Sequence, residues 1–200
     1  MAYQCAPVKL RSANRRATSE FLTEGGGGEA SPKRQRTRVY DRATLTLIGD
    51  WTDHPLGHFD LGIDAAGNEV AFGRASSGTY SNRLLMRRLD NGAVTPLLPS
   101  FGYFDYHAST RNLGRPGWGL VSVDAATGTP FDLEVFWVKL DGSQTVQRLV
   151  HHRNLNTDYD ATPFAVPSPD GRRVLFASNW GASSGRPVQD YVLDTRPLCP

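Results

Sequence analysis

The chain has 200 residues, 39% hydrophobic and 10% aromatic, which is apolar material enough for one or two packed domains. Its formal net charge of +2 is unevenly spread: residues 1–38 carry eight Lys or Arg against three Glu, leaving fourteen against seventeen in residues 39–200. The body therefore lacks the basic surface of an RNA or DNA module, no nucleic-acid partner is expected, and no span is long and apolar enough to cross a bilayer.

Taken from the start, residues 1–38 contain Gly25-Gly26-Gly27-Gly28 and the basic run Lys33-Arg34-Gln35-Arg36-Thr37-Arg38, with few large apolar residues. Such a composition buries too little to offset the entropy of ordering, so a disordered basic tail is expected there. Lys9, Arg11, Arg15 and Arg16 interrupt any apolar run near the start, so the sequence reads as soluble without a signal peptide and leaves the compartment open. Cys5 and Cys199 stand near the two ends and make neither a disulfide framework nor a zinc site.

From residue 39 to residue 200 the pattern changes to short alternating runs broken by Gly, Pro, Asp and Asn, which predicts an all-β body. A leading piece runs from Val39 to Ile48. One unit of four strands is expected over His58–Asp64, Glu69–Ala75, Arg83–Leu89 and Ala93–Leu98. A second covers Tyr106–Thr110, Trp118–Asp124, Leu133–Leu140 and Thr145–Val150, and a third offers Pro163–Pro167, Arg172–Ser178 and Gln189–Asp194. The units keep time. Asp41, Asp90, Asp141 and Asp194 each close a run and stand 49, 51 and 53 residues apart, while Gly67, Gly117 and Gly171 each lead into an apolar strand at nearly the same interval.

A period of about fifty residues with four antiparallel strands per unit is the pattern of β-propeller blades. About three blades fit in the chain, whereas closed propellers have about four to eight. The expectation is a partial β-propeller, either a fragment of a longer one or a chain that self-associates through its open blade edges.

The run Pro167-Ser168-Pro169-Asp170-Gly171-Arg172-Arg173-Val174-Leu175-Phe176-Ala177-Ser178 resembles the blade repeat of WD40-like, TolB-type propellers, also described as PD40-type blades. Within that group, His58-Phe59-Asp60, His107-Ala108-Ser109 and Arg115-Pro116-Gly117-Trp118 with His151-His152 resemble bacterial propellers distantly similar to oligogalacturonate lyase. The resemblance covers about residues 39 to 196. It implies the propeller fold, and it implies a divalent metal such as manganese held by a histidine cluster, with an acidic oligosaccharide as substrate.

Read on their own, His58 and His107 begin the first strands of consecutive units, where repeated side chains converge, and Asp60 adds a carboxylate beside them. Phe164 takes the corresponding place in the third unit and cannot ligate, so the residues argue for a site without a cofactor, with His58 and His107 as metal ligands the alternative. Arg111, Arg115 and Trp118 lie in a Gly- and Pro-punctuated loop after His107 and suit stacking on, and pairing with, a carboxylated sugar. Gly181-Ala182-Ser183-Ser184-Gly185 matches the Gly-x-Ser-x-Gly pattern of hydrolases but runs into a strand instead of a helix, so no nucleophile is expected there. The expectation is a non-catalytic binding or scaffold module with a protein or carbohydrate ligand at His58, Asp60, His107, Arg111, Arg115 and Trp118. A metal-assisted lyase-like enzyme is the alternative.

Overall fold

The structure, a computed structural model, describes residues 15–22, 34–99, 106–124, 128, 130–155, 161–182 and 188–196. Among the described residues fourteen strands form four antiparallel sheets, each a meander in which neighbours in sequence are neighbours in space. The first sheet holds β1 (Arg15–Leu22), β2 (Arg34–Asp41) and β3 (Leu47–Trp51). The second holds β4 (Leu56–Ile63), β5 (Glu69–Ala75), β6 (Leu84–Arg88) and β7 (Val94–Pro96). The third holds β8 (Tyr106–Ser109), β9 (Trp118–Val123), β10 (Glu134–Lys139) and β11 (Val146–His151). The fourth holds β12 (Val166–Pro167), β13 (Arg173–Ser178) and β14 (Gln189–Asp194). This is the all-β arrangement of a partial propeller. Among the described residues no helix is long and apolar enough to cross a membrane.

Three of the four landmark aspartates are turn formers, which ties the repeat to local turn geometry. Asp41 Oδ1 accepts hydrogen bonds from the Ala43 and Thr44 amides, at 2.9 and 2.8 Å, Asp141 accepts one from the Ser143 amide at 2.9 Å, and Asp194 one from the Arg196 amide at 3.0 Å. Each carboxylate thus closes an Asx turn at the end of a strand. In the second sheet Asn91 takes that duty for the Ala93 amide, and Asp90 pairs with Arg88 instead. The turn at 168–173 is built likewise: Asp170 accepts from the Ser168 hydroxyl and the Arg172 amide, and Gly171 supplies the left-handed φ of 69°.

Alternation along the strands sends one row of side chains to each neighbouring sheet. Val39 and Trp51 of the first sheet pack with Leu56, Ala71 and Leu85 of the second. On its other face the second sheet presents Val70, Phe72, Leu84 and Met86 to Tyr106, Val121 and Phe136 of the third. The third in turn covers Val174 and Phe176 of the fourth with Leu120, Val135 and Trp137. Contact is close enough that a Cβ on Gly119 would lie 2.5 Å from the Phe72 ring, so glycine is required where β9 crosses that ring.

The boundary drawn at residue 38 falls inside β2, and strand pairing extends back to Arg15. Thr37 is fully buried and accepts the Leu56 amide through Oγ1 at 3.2 Å, tying the first sheet to the second. The remaining residues of that expected tail lie outside the described residues, as do Cys5, Cys199, Ser183 and Ser184.

Candidate functional site

The first strands of the second and third sheets, β4 and β8, run side by side and bring the two histidines together. His58 Nδ1 and His107 Nδ1 are 3.3 Å apart, so one ring donates and the other accepts, and the rings meet edge to face at 4.8 Å. The Phe164 ring, from the segment leading into β12, lies 4.4 Å from that of His107. Residues from three consecutive sheets therefore meet at one place. His58 and Phe164 share an uncommon backbone, with φ of 48° and 40°, and at His58 this coincides with a bulge in the β4–β5 register between Gly57 and Asp60.

Asp60 lies one step further along the same seam, where its carboxylate is taken up by the neighbouring sheet. Its Oδ2 accepts from the Thr110 amide at 3.1 Å and from the Ser109 hydroxyl at 3.3 Å, while Thr110 Oγ1 donates to the Leu61 carbonyl at 2.7 Å. Arg111 Nε stands 3.9 Å from Asp60 Oδ2, its side chain largely exposed. Asp60 and Ser109 are separated by 49 residues, as are His58 and His107, so both contacts follow the repeat. That shared interval was the available signal for Ser109 and Thr110, which the sequence reading passed over.

Arg115 and Trp118 belong elsewhere. His107 pairs with Ser122 late in β9, whereas Trp118 begins β9 four residues earlier, about 13 Å along the strand. The Arg115 guanidinium lies 4.7 Å from the rings of both Trp118 and Trp137 and donates to Gln147 Oε1 at 2.7 Å. Trp118 packs against the cluster shared by the third and fourth sheets. Burial lowers the Arg115 pKa from its ordinary value, as expected of a cation enclosed by indoles. The six residues read as one ligand set thus divide into His58, Asp60, His107 and Arg111 on one seam, and Arg115 and Trp118 in an inter-sheet contact.

His151 ends β11, and His152 beyond it is fully buried. Its Nε2 is 2.7 Å from the Val123 carbonyl and must donate to it, and its Nδ1 accepts the Asn154 amide at 3.2 Å. The ring is therefore neutral, with its proton on Nε2. Its own carbonyl accepts from the Ser178 hydroxyl at 2.6 Å, so the residue couples the third sheet to the fourth.

No protein-family model matches the chain, and no curated protein sequence matches it. Among solved structures, that of an oligogalacturonate lyase from Vibrio parahaemolyticus is similar at a TM-score of 0.44 and 12% identity. The superposition covers 92% of this chain and 63% of that one. So distant a likeness says nothing of activity. The fold rests on the four sheets themselves, and the residues must speak for the chemistry.

Among the described residues two imidazoles meet at this point without a third ligand. Catalytic zinc sites use three protein ligands, and here the third position is a phenyl ring. Asp60 is engaged by Ser109 and Thr110, and among the described residues no group of three or more His, Cys, Asp or Glu could hold a metal ion.

Proposed function

We propose that the chain is a non-catalytic binding module of the WD40-like, TolB-type propeller class, holding an acidic saccharide over His58, His107 and Phe164 with Arg111 at the rim. The observation that carries this reading is the meeting of those three rings across three sheets. Imidazole nitrogens and a guanidinium suit carboxylates, and an exposed phenyl suits the C–H face of a sugar ring. The Asx-turn hairpin at 168–173 supports the blade type, which by itself leaves the ligand open. Two imidazoles with a phenyl in the third place favour binding over metal-assisted elimination.

The test is calorimetric titration of the full chain with uronic-acid oligosaccharides and with their neutral counterparts, followed by melting curves with manganese or zinc. Binding of the acidic series alone, weakened at least about tenfold by His107→Ala and by Arg111→Ala, is expected, with no unsaturated product released. The melting temperature should not respond to either metal, because a ligand indifferent to the native state contributes no linkage stabilisation. A metal-dependent rise abolished by His58→Ala, or unsaturated product accumulating with turnover, would make the lyase-like reading the better one.

A further inference from the structure

We propose that Trp180 and Arg153 form a second sugar subsite, at the same end of the fourth sheet as Phe164, which takes a further ring of the acidic saccharide. Of the four tryptophans, Trp51, Trp118 and Trp137 are buried or half-buried, with Arg87 4.4 Å from the Trp51 ring and Arg115 4.7 Å from those of Trp118 and Trp137. Trp180 differs on both counts: it is 42% exposed, and Arg153, itself exposed, stands off at 5.8 Å. Its indole is the outermost of three rings that step out of the core, with Phe176 and Tyr191 stacked at 5.6 Å and Tyr191 and Trp180 at 5.2 Å. Tyr191 backs one side of the indole, so the exposed part is a firm, flat apolar surface.

The backbone beneath it is held in place. Trp180 has a φ of 51°, which a bulky residue rarely adopts and which persists only where the surroundings fix it. Its amide donates to Ser178 Oγ at 2.9 Å. Asn179, buried next to it, donates from its amide to Asn154 Oδ1 at 3.0 Å and from Nδ2 to the Leu155 carbonyl at 2.9 Å, while its Oδ1 accepts the Leu155 and Gly181 amides at 3.1 and 3.2 Å. A surface fixed in advance leaves less ordering cost for a ligand to meet.

Its position suits the same ligand. The Ala177 amide donates to the Pro163 carbonyl at 2.9 Å, which sets Phe164 beside the end of β13, and Trp180 follows Ala177 by three residues, at most about 10 Å of chain. A saccharide seated on Phe164 can therefore extend towards Trp180. Indole suits the C–H face of a sugar ring, and Arg153, which pairs with no carboxylate among the described residues, suits a carboxylate on that ring. The choice of an acidic sugar rests on the function proposed for the His58–His107–Phe164 site, whereas the stacking surface does not.

Titration of the full chain with a monouronide, with uronic-acid oligosaccharides and with neutral oligosaccharides, read by calorimetry and tryptophan emission, tests this. Trp180→Leu and Arg153→Gln stand beside the unmodified chain; both side chains are exposed, so the melting temperature should change little. Acidic oligosaccharides should bind at least about tenfold tighter than the monouronide and shift the emission. Each variant should remove most of that gain and leave monouronide binding unchanged. A gain with length that survives both variants would overturn the subsite while the first site stands. Equal responses to neutral and acidic oligosaccharides, abolished by Trp180→Leu, would overturn the acidic reading and keep the stacking surface. An emission shift with nucleotides and none with any saccharide would overturn both.

Discussion

Between about pH 6.5 and about pH 4 the folded chain should lose about 3 kcal/mol of stability through His152 alone. Burial pushes this imidazole down to about 4 from its ordinary 6.5, the Val123 carbonyl opposing and His151 adding to the effect. Above pH 6.5 the ring is neutral in both states and its contribution is present in full. As the pH falls, the unfolded chain binds a proton that the folded chain refuses, so stability drops through the window and levels off below about 4. The refusal has a structural cause: a proton on Nδ1 would displace the lone pair that accepts the Asn154 amide, in a place closed to water. Exposed carboxylates such as Asp141, held at about 2 by the Ser143 hydroxyl and then by Lys139, are lost only at lower pH, so the window isolates the histidine. Urea unfolding at pH 7 and pH 4.5 checks this. The midpoint of the unmodified chain should fall steeply, whereas His152→Gln, less stable at neutral pH, should show a much flatter dependence. Parallel slopes would remove His152 from the explanation.

Replacing Arg87 with methionine should cost about 2–4 kcal/mol, the second large effect. This side chain is almost fully buried at the junction of the first and second sheets, where each of its nitrogens has a partner: Nε donates to the Gly92 carbonyl at 3.0 Å, and the two terminal nitrogens donate to the Asp53 carbonyl and carboxylate at 2.7 Å. The guanidinium also lies 4.4 Å from the Trp51 ring. Methionine keeps the stem and loses all of these, stranding two carbonyls, while the Asp53 carboxylate is exposed enough to return to water. Lysine would restore the charge without the planar fork and should recover less than half of the loss. Denaturant unfolding gives the number, and proteolysis near β3 should accelerate in step with it. A cost below about 1 kcal/mol would mean that the first sheet is held by Val39 and Thr37 instead.

Where apolar runs are bounded by turn residues, the sequence was a good guide. β5, β6, β13 and β14 lie where the apolar runs and their turn residues put them, because hydrophobic period and Asx turns are local properties. The meeting of His58 and His107 was legible for the same reason, since a repeat maps equal intervals onto neighbouring positions. β1 and β2 were hidden by charge. Arg34, Arg36 and Arg38 alternate with Gln35, Thr37 and Val39, a period of two that reads as a solvated basic run until Thr37 and Val39 are seen to be buried. Arg115 and Trp118 misled by proximity along the chain, because β9 runs antiparallel to β8 and carries its first residue away from His107. The burial of His152 could not be read from a His-His pair, since it depends on Val123 and Ser178 arriving from distant segments.

The most direct test of three sheets meeting at one point is to give the third position a ligand. Two imidazole nitrogens 3.3 Å apart already match the spacing of two ligands at about 2.0–2.1 Å from a tetrahedral zinc ion. With Phe164→His in the full chain, zinc at about a hundred times its dissociation constant should add about 2.7 kcal/mol to stability. That gain should vanish on further replacement of His58 or His107 by alanine, while the unmodified chain does not respond. Equal zinc responses with and without Phe164→His, or none in either, would contradict the convergence of residues 58, 107 and 164.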